Sequence, residues 1–280
     1  KTEVILNIDN DHLDYFGTFE NIVKSFGNYV KLLPKDGLLV VNWDDENCRA
    51  ITKNTEAKAV TYAIESQNAN FVARNIVFND NGFPTFDVYY NNNFFKTISL
   101  SVPGRHNVLN ALACIAVCNE YGLDREDIKN ALHKYTGAHR RFEFKGCFDG
   151  VNVFDDYGHH PTEILATANA LKQKKYNESW VIFQPHTYSR TKNLLDAFAT
   201  ALLNFDHVIV TDIYAARETN TYNISSKDLV DKINMLGKHA IYISDFSDIV
   251  TFVKENANTG DIVLTLGAGT VTEIGPMLVK

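Results

Sequence analysis

Residues 151–163 read VNVFDDYGHHPTE, and this stretch decides how the rest of the chain is interpreted. Its first four residues are β-prone, and the residues from 161 to 171 carry apolar side chains at helical spacing. The stretch therefore predicts a strand that passes directly into a helix, which is the repeating unit of an α/β sheet. Between the two elements lie two carboxylates, a phenol and two imidazoles, from Asp155, Asp156, Tyr157, His159 and His160.

The polar cluster within residues 155–163 has two interpretations. In open α/β sheets, ligands collect at the carboxyl ends of strands, where the first turn of a helix offers unpaired N–H donors. Pro161 suits the first helical position and Glu163 suits the first turn, so a plain turn before a capped helix also explains the pattern. Because a turn does not need two acids and two histidines together, we favour a metal or catalytic site.

The composition is that of a globular protein that acts on small molecules. The 280 residues are 45% hydrophobic, with 27 basic and 34 acidic side chains and a formal charge of -7. Without a run of like charges, a long apolar stretch or a signal peptide, the sequence predicts a cytoplasmic protein with no nucleic-acid or membrane partner. The four cysteines lack metal-binding spacing, and we expect them to be buried free thiols.

Strands and helices alternate with short connections from Val151 to the end of the chain. Repeated βα units of this kind predict a doubly wound, mostly parallel sheet of the dinucleotide-fold type. A capping box at Ser225 and Asp228, followed by Gly237, bounds one of its helices. The polar segment 135–144 precedes the alternation, and we place a domain boundary in it, between residues 142 and 143.

The first half of the chain has a different pattern. An opening strand, a helix from about Thr18 to Leu33 and a second strand at residues 37–42 come first. A helix closed by Gly122 and a shorter one capped by Asp124 end this half. Between the second strand and these helices lie β segments that are split by Asn, Asp and Gly. We expect these segments to be antiparallel and partly exposed. They lie at residues 59–64, 71–78, 85–90 and 95–100.

The sequence DNDHLD at residues 9–14 follows the opening strand and is the first candidate site of this half. Its carboxylate oxygens suit Mg²⁺ or Mn²⁺, and His12 is its only nitrogen donor. The same residue types are common in turns, so the pattern alone leaves a metal site and a plain turn open.

The sequence GRHNVLNA at residues 104–111 opens a helix and is the second candidate site. Asn107 and Asn110 are three residues apart on one helix face, where two amides can contact a planar heterocycle beside His106. In the alternative interpretation, Asn107 caps the helix and Asn110 is solvated.

Further cationic and glycine-rich segments fall near the second sheet. Arg140 and Arg141 lie in the connection between the halves, where they either clamp phosphate oxygens or are solvated. The segment QPHTYSRT at residues 184–191 follows another strand, and His186 with Arg190 can hold a carboxylate there. The turn GAG at residues 267–269 lacks the third glycine and the later acid of a dinucleotide fingerprint, so we interpret it as an anion-binding turn. The phosphate loop G-x-x-x-x-G-K-[ST] is absent from the sequence.

Taken together, the motifs resemble those of the Mur ligases of peptidoglycan synthesis. The resemblance covers essentially the whole chain and implies the second half of a central ATP-binding domain at residues 1–142, followed by a C-terminal, amino-acid-binding domain of the dinucleotide-fold type at residues 143–280. Because the chain opens on a strand at Lys1 without Met, we expect an N-terminal domain and the phosphate loop to lie upstream. The motifs occur in the family's order at residues 7–14, 104–111, 140–142, 155–163, 184–191 and 267–269.

The resemblance implies an ATP-dependent amide ligase, and the favoured branch adds L-alanine to UDP-N-acetylmuramate. In such ligases ATP converts the substrate carboxylate to an acyl phosphate, which the amine then attacks. The implied cofactors are ATP and Mg²⁺ or Mn²⁺, and the implied substrates are UDP-N-acetylmuramate and L-alanine.

The resemblance also implies roles for individual residues. His12 is implied as the metal ligand. The implied nucleotide contacts are Asn107 and Asn110 at adenine with His106 beside it, Arg141 at a phosphate and Asp156 at the ribose. The residues implied at the phosphoryl and amino-acid end are Tyr157, His159, His186 and Arg190.

Two departures and several alternatives accompany this resemblance. Position 187 is Thr where some relatives carry Arg, and residues 25–28 lack the lysine that several Mur ligases carbamoylate, which fits the alanine-adding branch. A ligase that recycles a tripeptide onto the same nucleotide sugar resembles Asp-Asp-Phe-Ala-His-His-Pro, whereas Tyr157 and Gly158 stand here. Two alternatives remain. One is a non-catalytic nucleotide-binding fragment, and the other is a metal hydrolase built on His159, His160 and His186. Without a phosphate loop, we expect the chain alone to be inactive.

Overall fold

The computed structural model describes all 280 residues, except for the side chain of Asp14. Internal contacts divide the chain into two compact units, Lys1–Thr136 and Gly137–Lys280. The division falls inside the polar connection that the sequence indicates, although the sequence placed the boundary after Phe142. Each unit contains one six-stranded sheet.

The sheet of the first unit is parallel in one half and antiparallel in the other. Its strands are Thr2–Ile5 (β1), Leu38–Asn42 (β2), Lys58–Ala63 (β3), Phe71–Phe78 (β4), Pro84–Tyr90 (β5) and Asn93–Ser99 (β6), in the order β1-β2-β3-β4-β5-β6. Strands β1 to β4 pair in parallel, and β4 to β6 pair antiparallel. The expectation that β3 belongs to an antiparallel set is therefore wrong, because a helical connection returns the chain from β2 to β3 in the same direction.

Helices cover both faces of this sheet. They span Leu13–Phe16 (α1), Phe19–Val30 (α2), Glu46–Ile51 (α3), Arg105–Glu120 (α4) and Arg125–Lys134 (α5), with a 3-10 turn at Thr52–Asn54. Leu38 and Val40 of β2 join the core formed with α4, whereas Leu39 and Val41 join the core formed with α2 and α3. Because successive strand residues point to opposite faces, the continuous apolar run of β2 reflects burial on both sides.

Two acids that follow β2 hold the loops at the carboxyl end of the first sheet. The Asp44 carboxylate accepts hydrogen bonds from the backbone N–H groups of residues 64–66, at 2.7, 3.1 and 2.8 Å. Asp45 accepts one from the Ile8 N–H at 3.1 Å and caps α3 with its other oxygen. Neither acid was among the predicted site residues, although each ties separate segments to the end of β2.

The second unit contains the predicted doubly wound sheet. Its strands are Glu143–Phe148 (β7), Val151–Asp156 (β8), Ser179–Phe183 (β9), His207–Val210 (β10), Ala240–Tyr242 (β11) and Ile262–Leu266 (β12), in the order β11-β10-β9-β12-β8-β7. Neighbouring strands pair in parallel, except that β7 runs antiparallel to β8. The prediction of a mostly parallel α/β sheet is confirmed.

The helices of the second unit pack on both faces of this sheet. They span Pro161–Leu171 (α6), Tyr188–Asn193 (α7), Leu195–Leu202 (α8), Ser226–Met235 (α9), Phe246–Asn256 (α10) and Ile274–Leu278 (α11), with a 3-10 turn at Thr270–Glu273. Val181 and Phe183 of β9 share a core with α6, α8 and α9, whereas Trp180 and Ile182 share one with α10 and α11. The single helix expected near residues 192–204 is instead the pair α7 and α8, which meet at Leu194.

Local signals in the sequence located most helix ends correctly. Asp124 caps α5, and the Ser225 N–H and hydroxyl both donate to Asp228 at 2.8 Å.

All four cysteines are free, as expected, but only Cys48 is buried. Cys114 and Cys147 are exposed, and Cys118 is half-buried. No helix in the described part of the chain is long and apolar enough to span a bilayer.

We expect Asp44→Ala to lower the free energy of unfolding of the first unit by about 2 kcal/mol, because three backbone donors lose their acceptor. Trp43 and Trp180 are the two tryptophans, one in each unit, so the fluorescence of Trp43 in a Trp180→Phe background reports urea unfolding of the first unit. Asp124→Ala, which removes only a helix cap, is the matched control and should cost about 1 kcal/mol. Equal losses would contradict the role given to Asp44.

Candidate active site

The carboxyl ends of four parallel strands meet at one edge of the second sheet. Asp156 of β8 is in register with Leu266 of β12, which is in register with Phe183 of β9, and Phe183 is in register with Val210 of β10. The segments that leave these strands therefore start side by side. Three of them are the polar segments 155–163, 184–191 and 267–269 that the sequence singled out, so the structure brings these together.

Asp156 is a buried carboxylate that accepts backbone hydrogen bonds. Its Oδ1 accepts from the Gly158 N–H at 2.7 Å, and its Oδ2 accepts from the Phe142 N–H at 2.9 Å. Burial raises the pKa of Asp156 to about 6, although both hydrogen bonds and the Arg141 charge act in the opposite direction. Asp156 thus fixes the turn that follows β8 and the segment that precedes β7.

Glu163 forms the capping box of α6. Its Oε2 accepts hydrogen bonds from the backbone N–H groups of His159, at 2.9 Å, and His160, at 3.2 Å. The helix begins at Pro161, and the buried His160 ring accepts from the Thr162 N–H at 3.4 Å. The plain-turn interpretation therefore explains His160 and Glu163, and His159 is the histidine of this pair that belongs to the candidate site.

Four rings form a continuous cluster beyond the strand ends. The Tyr157 and His159 rings are 5.5 Å apart, and the His159 and His186 rings are 5.4 Å apart. The His186 ring stacks on Tyr214 at 5.7 Å with an interplanar angle of 15°. The pKa of His186 is lowered by burial first, and then by the neighbouring His159 and Arg190. Each of these causes favours the neutral form of the His186 imidazole.

Arg190 lies on the first turns of α7 and faces this cluster. Its Nη1 is 3.3 Å from His186 Nδ1 and 3.4 Å from the His186 carbonyl oxygen. Nearby, Glu218 accepts hydrogen bonds from the hydroxyls of Thr187 and Ser189, and these outweigh burial to lower the pKa of Glu218. Glu218 was not among the predicted site residues, although an acid in the segment that follows a fourth parallel strand, β10, was a usable signal.

The two adjacent arginines of the connection have different environments. The Arg140 side chain is 15% exposed, and its Nε is 3.2 Å from an oxygen of the fully buried Asp155. The Arg141 side chain is 51% exposed, and its Nη1 is 3.4 Å from Glu163. We expected both guanidinium groups either to clamp a phosphate or to be solvated. Neither alternative holds for Arg140, which is paired with Asp155, whereas Arg141 is accessible to an anion.

The glycine turn after β12 packs tightly against the segment after β9. A side chain at Gly267 would clash with the Gln184 backbone, and one at Gly269 would overlap the Gln184 amide and lie 2.6 Å from the Tyr214 ring. Gln184 also accepts a hydrogen bond from the Val271 N–H at 3.0 Å. Glycine is required at these positions because the backbone approaches its neighbours so closely.

A cleft of about 570 Å³ adjoins this turn. A smaller cavity of about 230 Å³, around Trp180 and His207, lies at the opposite, amino ends of the strands. The larger cleft is thus on the side of the sheet where ligands of open α/β folds bind. Its lining residues are Gln184, Thr211, Asp212, Ser244, Asp245, Phe246, Asp248 and Thr270.

His12, the implied metal ligand, lies in the first unit directly before α1. Its side chain is 65% exposed, and its Nε2 is 3.7 Å from the Asp11 carboxylate. Among the side chains that the structure describes, no three His, Cys, Asp or Glu residues form a group that could hold a metal. An exposed imidazole beside one carboxylate fits an ion such as Mg²⁺, which takes most of its ligands from phosphates and water.

The implied adenine contacts occupy the first turns of α4. This helix begins directly after Gly104, so the alternative in which Asn107 caps the helix is wrong. The Asn107 amide instead donates to the Pro103 carbonyl at 2.7 Å, and Asn110 donates to Asn107 at 3.1 Å. His106 and Asn110 are exposed. The two amides are therefore held together beside an accessible imidazole.

Two family models match the chain in succession. The Mur ligase middle domain matches residues 1–118, and the domain described as "Mur ligase, glutamate ligase domain" matches residues 140–269. Neither match includes residues 119–139, which contain the division between the two units.

Named relatives agree with these matches. The UDP-N-acetylmuramate–L-alanine ligases of Acetivibrio thermocellus and Caldanaerobacter subterraneus subsp. tengcongensis are 47% and 48% identical over 99% and 97% of the chain. The chain covers 59% of the length of each relative. The crystal structure of UDP-N-acetylmuramate–alanine ligase from Thermotoga maritima superposes with a TM-score of 0.79 at 26% identity, over 99% of this chain and 58% of that one. The chain therefore belongs to the Mur ligase family.

Proposed function

We propose that the whole protein containing this chain is an ATP-dependent ligase that joins L-alanine to UDP-N-acetylmuramate. The observation that carries the proposal is the identity of 47% and 48% with two enzymes of that name over nearly the whole chain. The residues Tyr157 and Gly158, between Asp156 and His159, support this branch over the tripeptide-recycling one. The motif of the recycling branch resembles Asp-Asp-Phe-Ala-His-His-Pro, with Phe and Ala at these two positions.

In the proposed reaction, the carboxylate of UDP-N-acetylmuramate is phosphorylated by ATP to an acyl phosphate. The amine of L-alanine attacks the acyl carbon, and phosphate leaves from the tetrahedral intermediate. Mg²⁺, with His12 as a ligand, would supply charge neutralisation at the phosphates.

Arg190 and His186 have complementary proposed roles at the amino-acid end. The guanidinium group of Arg190 would stabilise negative charge on the substrate carboxylate or on the tetrahedral intermediate. The lowered pKa of His186 favours its neutral imidazole, and a neutral imidazole would accept the proton that the attacking ammonium group must lose. Tyr157 and His159 would complete the wall beside these two groups.

The proposed nucleotide contacts come from each unit separately. In the first unit, the paired amides of Asn107 and Asn110 would contact adenine, with His106 packed beside it. In the second unit, the exposed Arg141 would contact a phosphate. Asp156 would contact the ribose, which is compatible with its structural role because each carboxylate oxygen has a second lone pair beyond its backbone hydrogen bond.

The direct test of the proposed function is a substrate-dependence assay on the whole protein. We expect ATP hydrolysis coupled to product formation only when UDP-N-acetylmuramate, L-alanine and Mg²⁺ are all present. The 280-residue chain alone should show no alanine-dependent hydrolysis, because its sequence contains no phosphate loop. Turnover with a tripeptide but not with L-alanine would instead support the recycling ligase, and turnover with neither would support a nucleotide-binding protein.

We expect Arg190→Ala to reduce kcat/KM for L-alanine by about 100-fold, because one cation that faces the developing negative charge is lost. Lys192→Ala removes an exposed cation from the same helix and is the matched control, with a change of less than about threefold expected. Steady-state kinetics at saturating ATP measure both effects. A comparable loss in the two variants would show that the net charge of α7, rather than Arg190, matters.

The pKa of Asp156 predicts a pH-dependent stability. The folded-state pKa of about 6 is above the ordinary value of 3.8, so between these values the folded protein retains a proton that the unfolded chain has lost. The free energy of unfolding of the wild type should therefore fall, relative to Asp156→Asn, as pH rises from about 4 to about 6, with a slope of up to about 1.4 kcal/mol per pH unit. Denaturant titrations across this range measure the difference, and a constant or rising difference would contradict the prediction.

A further inference from the structure

The Arg140 guanidinium group bonds to three acceptors of its own unit. Its Nη2 donates to the Gly267 carbonyl at 2.6 Å and to the Gly269 carbonyl at 3.2 Å, and its Nε is 3.2 Å from Asp155. Its face lies 4.8 Å from the centre of the Tyr157 ring. The turn that the sequence analysis interpreted as anion-binding thus presents two carbonyl oxygens to a cation.

Asp155 holds this guanidinium group from the end of β8. Its Oδ1 accepts from the Thr265 hydroxyl at 2.7 Å, and its Oδ2 accepts from the Thr272 hydroxyl at 2.8 Å. A buried ion pair offsets its desolvation cost only when further hydrogen bonds support it, and here two hydroxyls bond to Asp155 and two carbonyl oxygens bond to Arg140. The carboxylate therefore has one defined orientation, and so does the Arg140 side chain.

The glycine turn held by Arg140 forms the back of the ring cluster. Gly269 lies directly against the Tyr214 ring, and Tyr214 stacks on His186. The Tyr214 backbone N–H also donates to the Pro185 carbonyl at 2.8 Å, which ties the ring to the segment that carries His186. A shift of the turn would therefore move Tyr214 and open one face of the imidazole to water.

We propose that Arg140 and Asp155 are a positioning pair, which sets the glycine turn 267–269 and, through Tyr214, the place of the His186 imidazole. The pair itself touches no substrate in this assignment. The consequence for the environment of His186 follows from the geometry of the second unit alone, whereas the consequence for catalysis rests on the proposed function.

Asp261 provides a matched control at the other end of the same strand. It directly precedes β12, is fully buried, and accepts hydrogen bonds from the Asn258 and Glu178 N–H groups and from the Trp180 indole, at 2.9, 3.2 and 3.2 Å. It therefore resembles Asp155 in burial and in its number of donors, but it is remote from the glycine turn. Its replacement disturbs the fold without disturbing the proposed positioning.

The test compares Arg140→Lys, Asp155→Asn and Asp261→Asn in the whole protein by NMR titration of the histidine side chains. We expect the first two variants to raise the titration midpoint of His186 by about half a pH unit or more, because water then reaches an imidazole whose pKa is lowered mainly by burial. Asp261→Asn should lower the thermal unfolding midpoint by a comparable amount without moving this titration. An equal shift in Asp261→Asn, or no shift in the other two, would overturn the proposal.

Kinetics separate this proposal from the proposed function. If the whole protein is an active alanine ligase, the variants Arg140→Lys and Asp155→Asn should each lower kcat by about tenfold or more and leave KM for ATP unchanged. The reason is that a displaced His186 imidazole slows the chemical step. Asp261→Asn should keep the wild-type kcat, and an equal loss of kcat in it would contradict a specific positioning role. A wild type that does not use L-alanine would refute the proposed function, and the NMR comparison would still decide the positioning role.

Two milder variants keep the test decisive if Asp155→Asn does not fold. Thr272→Val removes one donor to Asp155 and leaves the ion pair, so it should shift the His186 titration in the same direction but less. Gly269→Ala forces the turn away from Gln184 and Tyr214 with Arg140 and Asp155 unchanged, and should reproduce the full shift. A normal His186 titration in Gly269→Ala would show that the turn does not control the imidazole.

Discussion

A carboxylate that is buried or half-buried at or just after the end of a strand must find hydrogen-bond donors, and this requirement fixes the loops of each unit. Leaving such a group unsatisfied costs several kcal/mol, so the chain around it has little freedom to rearrange. Asp44 is satisfied by three consecutive backbone N–H groups, Asp156 by two, and Asp155 by two hydroxyls and a guanidinium group. The acids thus fix the strand-end segments within each unit, and in the second unit the candidate site is built on the segments held by Asp155 and Asp156.

The sequence predicted those features of the fold that depend on local patterns. The alternation after Val151, the helix caps at Asp124 and Ser225, and the glycine terminators are each encoded within a few residues, and the structure contains them. The direction of β3 was predicted incorrectly because apolar alternation identifies a strand without indicating its partner. The division of the expected helix near residues 192–204 was also missed, since no proline or glycine marks the break at Leu194.

The candidate site was predictable to the extent that it follows strand ends. The proximity of His186, Arg190, Tyr157 and His159 could be predicted because parallel strands bring their carboxyl ends together, so polar segments after different strands become neighbours. The different environments of Arg140 and Arg141 were not predictable, because they depend on acceptors more than 100 residues away in the glycine turn. Residues adjacent in sequence can therefore have opposite roles, one internal and one accessible.

Asp155 and Asp156 do not form a shared metal site, although two adjacent acids suggested one. Both belong to β8, and successive side chains of a strand point to opposite faces. Asp155 accordingly contacts Arg140 and the threonines of and after β12, whereas Asp156 contacts the backbone of residues 142 and 158. Two carboxylates separated in this way cannot coordinate one ion, so the groups proposed for the reaction end, Tyr157 and His159, lie beyond the strand, where the backbone turns and the side chains converge.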